Sequence, residues 1–171
     1  MRTLILLRHA KSGWDDPALD DIDRPLSARG ERDAPRMGRE IAARGWLPEL
    51  VLCSPARRTR QTIELARPFL PPEMRVSFVT EIYEAPHKAI LAVIRTAPPS
   101  VKTLMVVGHN PGLEDLAASI AGCGSDPAAL ARLGRKYPTG AVARFVLDKD
   151  WQALGPGDAR LTDFVLPKEL T

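Results

Sequence analysis

Three short apolar segments, each followed at once by polar residues, limit the folds open to this chain more than any other feature. Residues 3–7, 50–53 and 103–107 are almost entirely apolar. A run of this length is typical of a strand that is buried on both faces of a sheet. A fourth strand is predicted at residues 76–79. Helix-like segments separate the strands, which predicts an α/β fold: a three-layer α/β/α sandwich with a mostly parallel central sheet.

The helix starts are predicted at capping residues and prolines between the strands. They are expected at Ser27, Ser54, Pro86, Asn110 and Asp126. In the second helix, Ser54 is expected to be the N-cap and Pro55 the first helical residue. Two further strands, at 141–147 and 161–165, lack a convincing helix between them. Part of the sheet is therefore predicted to be antiparallel.

The composition is that of a globular protein. The chain has 171 residues, of which 44% are hydrophobic and 26% charged, and this predicts one domain over residues 1–171. The first apolar run is too short to cross a bilayer or to form a signal-peptide core. We therefore expect a cytoplasmic protein without a membrane partner. Cys53 and Cys123 are far apart, so neither a disulfide framework nor a structural metal site is expected.

The basic residues favour an anionic ligand. The net charge is +3, and arginine outnumbers lysine. Arginine suits planar, bidentate binding of phosphate or carboxylate. The chain lacks long basic tracts and aromatic stacking runs, so nucleic acid is not expected as a partner. The oligomeric state is left open, a monomer included.

Polar side chains follow the strands where parallel strands would end at one edge of the sheet. Arg8 and His9 follow the first strand, Arg58 lies in the helix after the second, and His109 follows the fourth. Ligands of open α/β sheets bind at this edge. Two imidazoles and two guanidinium groups suit a phosphate dianion, since each arginine–phosphate hydrogen bond contributes about 1.5–3 kcal/mol.

Three motifs carry a resemblance to a known family. The motifs are Leu7-Arg8-His9-Ala10, Ser54-Pro-Ala-Arg-Arg58-Thr-Arg-Gln-Thr62 and Val107-Gly108-His109-Asn110-Pro111-Gly112. In this order and spacing they resemble the histidine phosphatase superfamily, the phosphoglycerate-mutase-like group. Arg8 to Ser12 and Asp23 to Gly30 resemble the small SixA-type phosphohistidine phosphatases. The similarity covers most of the chain and is least clear after Asp126.

The resemblance implies a phosphoglycerate-mutase-like fold and a role for each matched residue. His9 matches the nucleophile that becomes phosphorylated. Arg8, Arg58 and His109 match the residues that bind the phosphoryl group, and His109 is expected to act in its protonated form. Such enzymes use no metal ion or other cofactor. The resemblance therefore predicts a phosphohistidine phosphatase, acting on a phosphorylated protein or a small phosphorylated substrate.

The proton donor and the acidic loop are less well defined by the sequence. Larger members of the group carry a carboxylate after the third strand, and Glu84 is the candidate in this chain, although it could equally be an exposed loop residue. A phosphohistidine substrate needs this donor less, because its imidazole leaving group is readily protonated. The Asp-rich stretch of residues 15–23 fits no calcium-loop spacing and is interpreted as a solvated loop near the pocket.

Three other functions remain open from the sequence. A small-molecule phosphomonoesterase would use the same residues. A mutase would return the phosphoryl group to a substrate hydroxyl, although the chain is short for the insertions that enclose a sugar-acid substrate. A non-catalytic phosphate-binding module would bind phosphate without transferring it to His9.

Overall fold

A six-stranded mixed sheet forms the centre of the protein. The computed structural model describes residues 1–170. The strands are β1 (Arg2–Arg8), β2 (Leu50–Cys53), β3 (Arg75–Phe78), β4 (Thr103–Gly108), β5 (Val142–Leu147) and β6 (Arg160–Val165). Their order is β3-β2-β4-β1-β5-β6. The first four strands are parallel, and β5 and β6 run antiparallel to their neighbours. The prediction of a mostly parallel sheet with an antiparallel part is confirmed.

Five helices cover the two faces of the sheet. They are α1 (Ala28–Ala43), α2 (Arg57–Ala66), α3 (His87–Ile94), α4 (Gly112–Ile120) and α5 (Pro127–Arg135). Successive side chains of a strand point to opposite faces. Leu4 and Leu6 accordingly pack with α3, α4 and α5, whereas Ile5 and Leu7 pack with α1 and α2. These two apolar cores, one on each face, confirm the three-layer sandwich.

The register of the parallel strands places the predicted site residues at one edge. Arg8 is paired with Gly108, so the residues that follow them, His9 and His109, lie side by side. The backbone N–H of His9 donates to the carbonyl of Gly108 (3.1 Å). Cys53 is paired with Val107, which brings Ser54 to the same edge. The ends of β1, β2 and β4 therefore meet, as predicted.

The start of α2 differs from the prediction. Ser54 and Pro55 do not open this helix, which begins at Arg57 after Ala56. The Ser54 hydroxyl lies 2.7 Å from the imidazole of His109. Ser54 is thus part of a long-range contact between β2 and β4, and a local capping pattern cannot reveal such a contact. The predicted caps at Ser27 and Asp126 are confirmed, since both side chains accept a backbone N–H of their helix.

The loop that follows His9 is held against α1 and α2. The Lys11 carbonyl accepts hydrogen bonds from the backbone N–H and the hydroxyl of Ser27, the N-cap of α1. Gly30 permits this contact, because a Cβ atom there would lie 2.1 Å from the Lys11 oxygen. The Thr62 hydroxyl accepts from the backbone N–H of Ala10 (3.0 Å). The backbone beside His9 is therefore fixed by contacts to both helices.

Within residues 1–170, no helix combines the length and the apolar composition that crossing a membrane requires.

Candidate active site

His9 is buried directly after β1, and one of its ring nitrogens is hydrogen-bonded to the backbone. Nδ1 lies 2.7 Å from the carbonyl of Ala10. Because a carbonyl can only accept, Nδ1 carries the proton and Nε2 keeps the lone pair. The side chain is only 5% exposed, and burial lowers the pKa of His9 to about 3, with smaller contributions from His109, Arg58 and Arg8. His9 is therefore a neutral imidazole at pH 7, as a nucleophile requires.

His109 faces His9 across the pocket. The two ring centroids are 5.4 Å apart. Nε2 of His109 lies 2.7 Å from the Ser54 hydroxyl, and Nδ1 is buried and has no partner among the described residues. Burial, with the nearby Arg58, lowers the pKa of His109 to about 3. His109 was expected to act in its protonated form, but burial and the neighbouring arginines favour the neutral imidazole.

The two predicted arginines reach the pocket from different elements. Arg8 donates from Nη1 to the carbonyl of Tyr137 (2.8 Å). Arg58, only 3% exposed, donates to the carbonyl of Asp21 (2.8 Å) and to its Oδ2 (3.0 Å). The Nε atoms of Arg8 and Arg58 are buried without a partner among the described residues. Arg57, which was not assigned to the site, is exposed at the surface of α2.

Asp21 is a site residue that the sequence did not reveal. Its carboxylate binds Arg58, Arg24 (Nε to Oδ1, 3.1 Å) and the Tyr83 hydroxyl. Partial burial would raise the pKa of Asp21, but the hydrogen bonds from Tyr83 and Arg58 outweigh it and lower the pKa to about 2. The Asp-rich stretch was interpreted as a solvated loop. Asp15, Asp16, Asp20 and Asp23 are indeed exposed, whereas Asp21 is turned into the pocket.

Glu84, the predicted proton donor, lies at the rim of the pocket. Its carboxylate is 4.0 Å from Nη2 of Arg58, and 59% of its side chain is exposed. The neighbouring Asp21 carboxylate raises the pKa of Glu84. The backbone of Glu84 has φ = 49°, a left-handed conformation that is uncommon for glutamate. Such backbone strain often occurs at functional sites.

Tyr83 and Tyr137 also support the site, and neither was expected there from the sequence. The ring of Tyr83 packs edge-on against His109, with centroids 5.6 Å apart. The Tyr137 carbonyl accepts from Arg8 and from the side-chain amide of Asn110 (3.0 Å). It thereby joins the ends of β1 and β4. A pattern of charged and apolar residues cannot reveal contacts between such distant segments.

The site as a whole can accept a phosphoryl group. A neutral imidazole with a free lone pair lies beside a second imidazole and two guanidinium groups. Three of their nitrogens, Arg8 Nε, Arg58 Nε and His109 Nδ1, are buried and have no partner within residues 1–170. Buried polar groups normally have partners, so unpaired ones in a single pocket require an explanation. An oxyanion in this pocket would provide acceptors for them.

Comparison with known proteins places the chain among relatives by sequence. The sequence profile of the histidine phosphatase superfamily (branch 1) matches residues 4–84. An uncharacterized protein of Mycobacterium tuberculosis is 36% identical over 163 residues, which are 95% of this chain and 100% of that protein. An uncharacterized chloroplastic protein of Arabidopsis thaliana is 39% identical over 71% of this chain, and the match spans only 60% of the plant protein.

A solved structure extends the match to the whole fold. The structure of a candidate phosphohistidine phosphatase SixA from Nakamurella multipartitia is 32% identical to this chain. It superposes with a TM-score of 0.83 over 97% of this chain and 96% of that one. The pocket at the ends of β1, β2 and β4 thus lies in a fold and a sequence context that known proteins share, and the chain belongs to the histidine phosphatase superfamily.

Proposed function

We propose that this protein is a phosphatase that hydrolyses phosphohistidine through a phospho-His9 intermediate. One observation carries the proposal: the free ring nitrogen of His9 lies in a pocket where three buried nitrogens, Nε of Arg8, Nε of Arg58 and Nδ1 of His109, have no partner among the described residues. The likeness to a SixA structure supports phosphohistidine as the substrate class. The substrate would be a phosphorylated protein or a small phosphorylated compound.

In the first step, Nε2 of His9 attacks the phosphorus atom in line with the leaving group. A bond forms between Nε2 and phosphorus, and the bond from phosphorus to the substrate imidazole breaks. The leaving imidazole keeps the bonding electron pair and takes up a proton. In the second step, water attacks phospho-His9, inorganic phosphate leaves, and neutral His9 is restored. The Nδ1 hydrogen bond to Ala10 holds the ring in the reactive tautomer throughout.

The charge of the transferred group is balanced by the protein. Arg8 and Arg58 would bind the equatorial oxygens, and a fixed positive site of this kind needs no reorganisation during the reaction. In this proposal the enzyme works without a metal ion. Full activity after treatment with EDTA is the expected result, and loss of activity that is restored by a divalent cation would contradict it.

The side of the pocket that carries Glu84 and Asp21 is open to solvent. Of the two carboxylates there, Glu84 has 59% of its side chain exposed and Asp21 has 34%. A histidine side chain projecting from the surface of a partner could enter on this side. A small phosphorylated compound could enter on the same side.

A phosphomonoesterase is the second candidate, and Glu84 is the observation that favours it. An alkoxide leaving group requires a proton donor, and the pKa of Glu84 is raised, which is the direction that suits a general acid. A phosphohistidine substrate depends less on such a donor. The two candidates therefore differ in how strongly each substrate needs Glu84.

The test compares turnover of three substrates: a phosphohistidine protein, a phosphoramidate and an aryl phosphate. Phosphatase activity with the highest kcat/KM for the phosphohistidine protein would support the proposal. Preference for the aryl phosphate would favour the phosphomonoesterase. Transfer of the phosphoryl group to an acceptor alcohol, without release of inorganic phosphate, would indicate a mutase. Binding of inorganic phosphate without a labelled His9 would indicate a binding module.

A further inference from the structure

Ser54 lies in the first position of the second sequence motif and takes no part in the bond changes of the proposed reaction. It is fully buried, and its backbone N–H donates to the Val107 carbonyl (3.0 Å). Its hydroxyl oxygen lies 2.7 Å from Nε2 of His109 and 3.3 Å from the backbone nitrogen of Ala56. These are the hydroxyl's two polar contacts among the described residues.

The direction of the Ser54–His109 hydrogen bond follows from counting donors and acceptors. The Ala56 N–H can only donate, so the Ser54 oxygen accepts from it. The hydroxyl proton then has one available acceptor, Nε2 of His109. If Nε2 instead carried a proton and donated, the serine proton would be buried without a partner, because no surface of Ser54 is exposed to water.

We propose that Ser54 is a positioning residue that selects the tautomer of His109. A hydroxyl that donates to Nε2 leaves the ring proton on Nδ1. Nδ1 is the buried nitrogen without a partner, and it therefore presents an N–H donor to a bound phosphoryl oxygen. The opposite tautomer would present a lone pair to an anion and repel it. The last step, use of this N–H by the substrate, rests on the proposed function.

The two histidines of the site then carry the same tautomer, with the proton on Nδ1, but they leave opposite ring nitrogens free for different tasks. In His9 the Ala10 carbonyl holds the proton on Nδ1 and leaves a bare Nε2 for attack. In His109 the Ser54 hydroxyl occupies Nε2 and leaves an N–H for binding. A carbonyl can only accept and a hydroxyl can donate. Each partner is therefore chemically suited to the tautomer that its histidine needs.

The test is a nitrogen-15 NMR measurement of the imidazole tautomers in the free, full-length protein. The signals of His109 are assigned by comparison with His9→Gln and His87→Gln, which remove the other two histidines. At pH 7 the wild type is expected to show a protonated Nδ1 and a bare Nε2 for His109. A protonated Nε2 in the wild type would overturn the proposal, whatever the activity.

Variants of Ser54 test whether the tautomer of His109 also affects the rate of the reaction. Ser54→Ala is expected to give a mixture of the two tautomers and about a tenfold lower kcat/KM, whereas Ser54→Thr keeps a hydroxyl and restores the single tautomer. An unchanged spectrum in Ser54→Ala would refute the role. Thr59→Val removes another buried hydroxyl of this region that does not contact His109, and it should leave the tautomer unchanged.

The spectrum separates this inference from the proposed function. The expected tautomer in a protein without phosphatase activity would disprove the proposed function and leave the Ser54–His109 pairing in place. The opposite tautomer in an active phosphatase would disprove the role of Ser54 and leave the phosphatase in place.

Discussion

The carboxylate of Asp21 forms a salt bridge with the guanidinium of Arg58 inside the pocket, with 3.0 Å between Oδ2 and Nη2. Both groups lie where a phosphate dianion is expected to bind. An incoming phosphate must therefore compete with a carboxylate that the protein itself supplies. This arrangement limits how tightly free phosphate, the product of the proposed reaction, can bind.

Asp21→Asn is expected to strengthen binding of inorganic phosphate by about fivefold. The Asp21 side chain is 34% exposed, so the ion pair is screened by solvent and is assigned only about 1 kcal/mol. Isothermal titration with phosphate measures the effect. Asp23→Asn removes an exposed carboxylate of the same turn and is the matched control. Weaker binding in Asp21→Asn would mean that Asp21 instead holds Arg58 in its binding position.

Arg58→Ala is expected to lower kcat/KM by about 10²-fold or more, as removal of a donor that stabilises transition-state charge commonly does. Arg57→Ala provides the control, because Arg57 is the adjacent residue and is exposed. It should retain nearly full activity. Equal losses in the two variants would show that the general positive charge of α2, rather than the Arg58 contact, is what matters.

His9→Ala is expected to abolish turnover and covalent labelling by a phosphorylated substrate, and to leave the fold intact. The label on the wild type should be acid-labile and base-stable, as a phosphoimidazole is. His87→Ala removes the histidine outside the pocket and should retain both labelling and turnover. Circular dichroism checks the fold of each variant. Near-normal phosphatase activity in His9→Ala would rule out His9 as the nucleophile.

Glu84→Gln should separate substrates by their leaving groups. With an alkyl or aryl phosphate we expect kcat/KM to fall by about 10²-fold, the lower end of what general acid catalysis contributes. With a phosphoramidate the loss should be less than about threefold, because that leaving group is protonated easily. Glu81→Gln changes an exposed carboxylate nearby and is the control. Equal losses on both substrates would assign Glu84 to binding instead of proton transfer.

Stability should fall as the pH falls from about 6.5 towards 3. The pKa values of His9 and His109 are lowered to about 3 in the folded protein, whereas an unfolded histidine has a pKa of about 6.5. Between these values the unfolded chain binds protons that the folded protein does not, so acid favours unfolding. At pH 5 the free energy of unfolding is expected to be lower than at pH 7.5 by roughly 2 kcal/mol per histidine.

Urea unfolding at pH 7.5 and pH 5 measures this effect. The double variant His9→Gln/His109→Gln lacks both titrating groups, so its free energy of unfolding should change much less between the two pH values. Comparison with the wild type cancels the contribution of carboxylates such as Asp21. The same pH dependence in both proteins would show that the two imidazoles are not desolvated as described.

The sequence predicted the buried strands and the site residues that follow them. Apolar runs located β1, β2 and β4, and the parallel register then brought His9, Arg58 and His109 together. It did not reveal Asp21 or Tyr83, and it assigned Ser54 to a helix cap. These residues act through hydrogen bonds between segments that are 37 to 62 positions apart. Periodicity and capping rules describe near neighbours only.

The strand that carries the proposed nucleophile lies inside the sheet, whereas the two carboxylates of the pocket lie outside it. β1 is paired along both edges, with β4 and with β5, so the backbone that carries the proposed nucleophile has little freedom to move. Asp21 instead lies in a short 3-10 helix (Asp21–Asp23) and Glu84 in a turn, both within connections between the strands and the α-helices. Such segments tolerate changes in length and sequence. Replacing them is therefore a practical way to engineer selectivity for new leaving groups while the phosphoryl-accepting imidazole keeps its place.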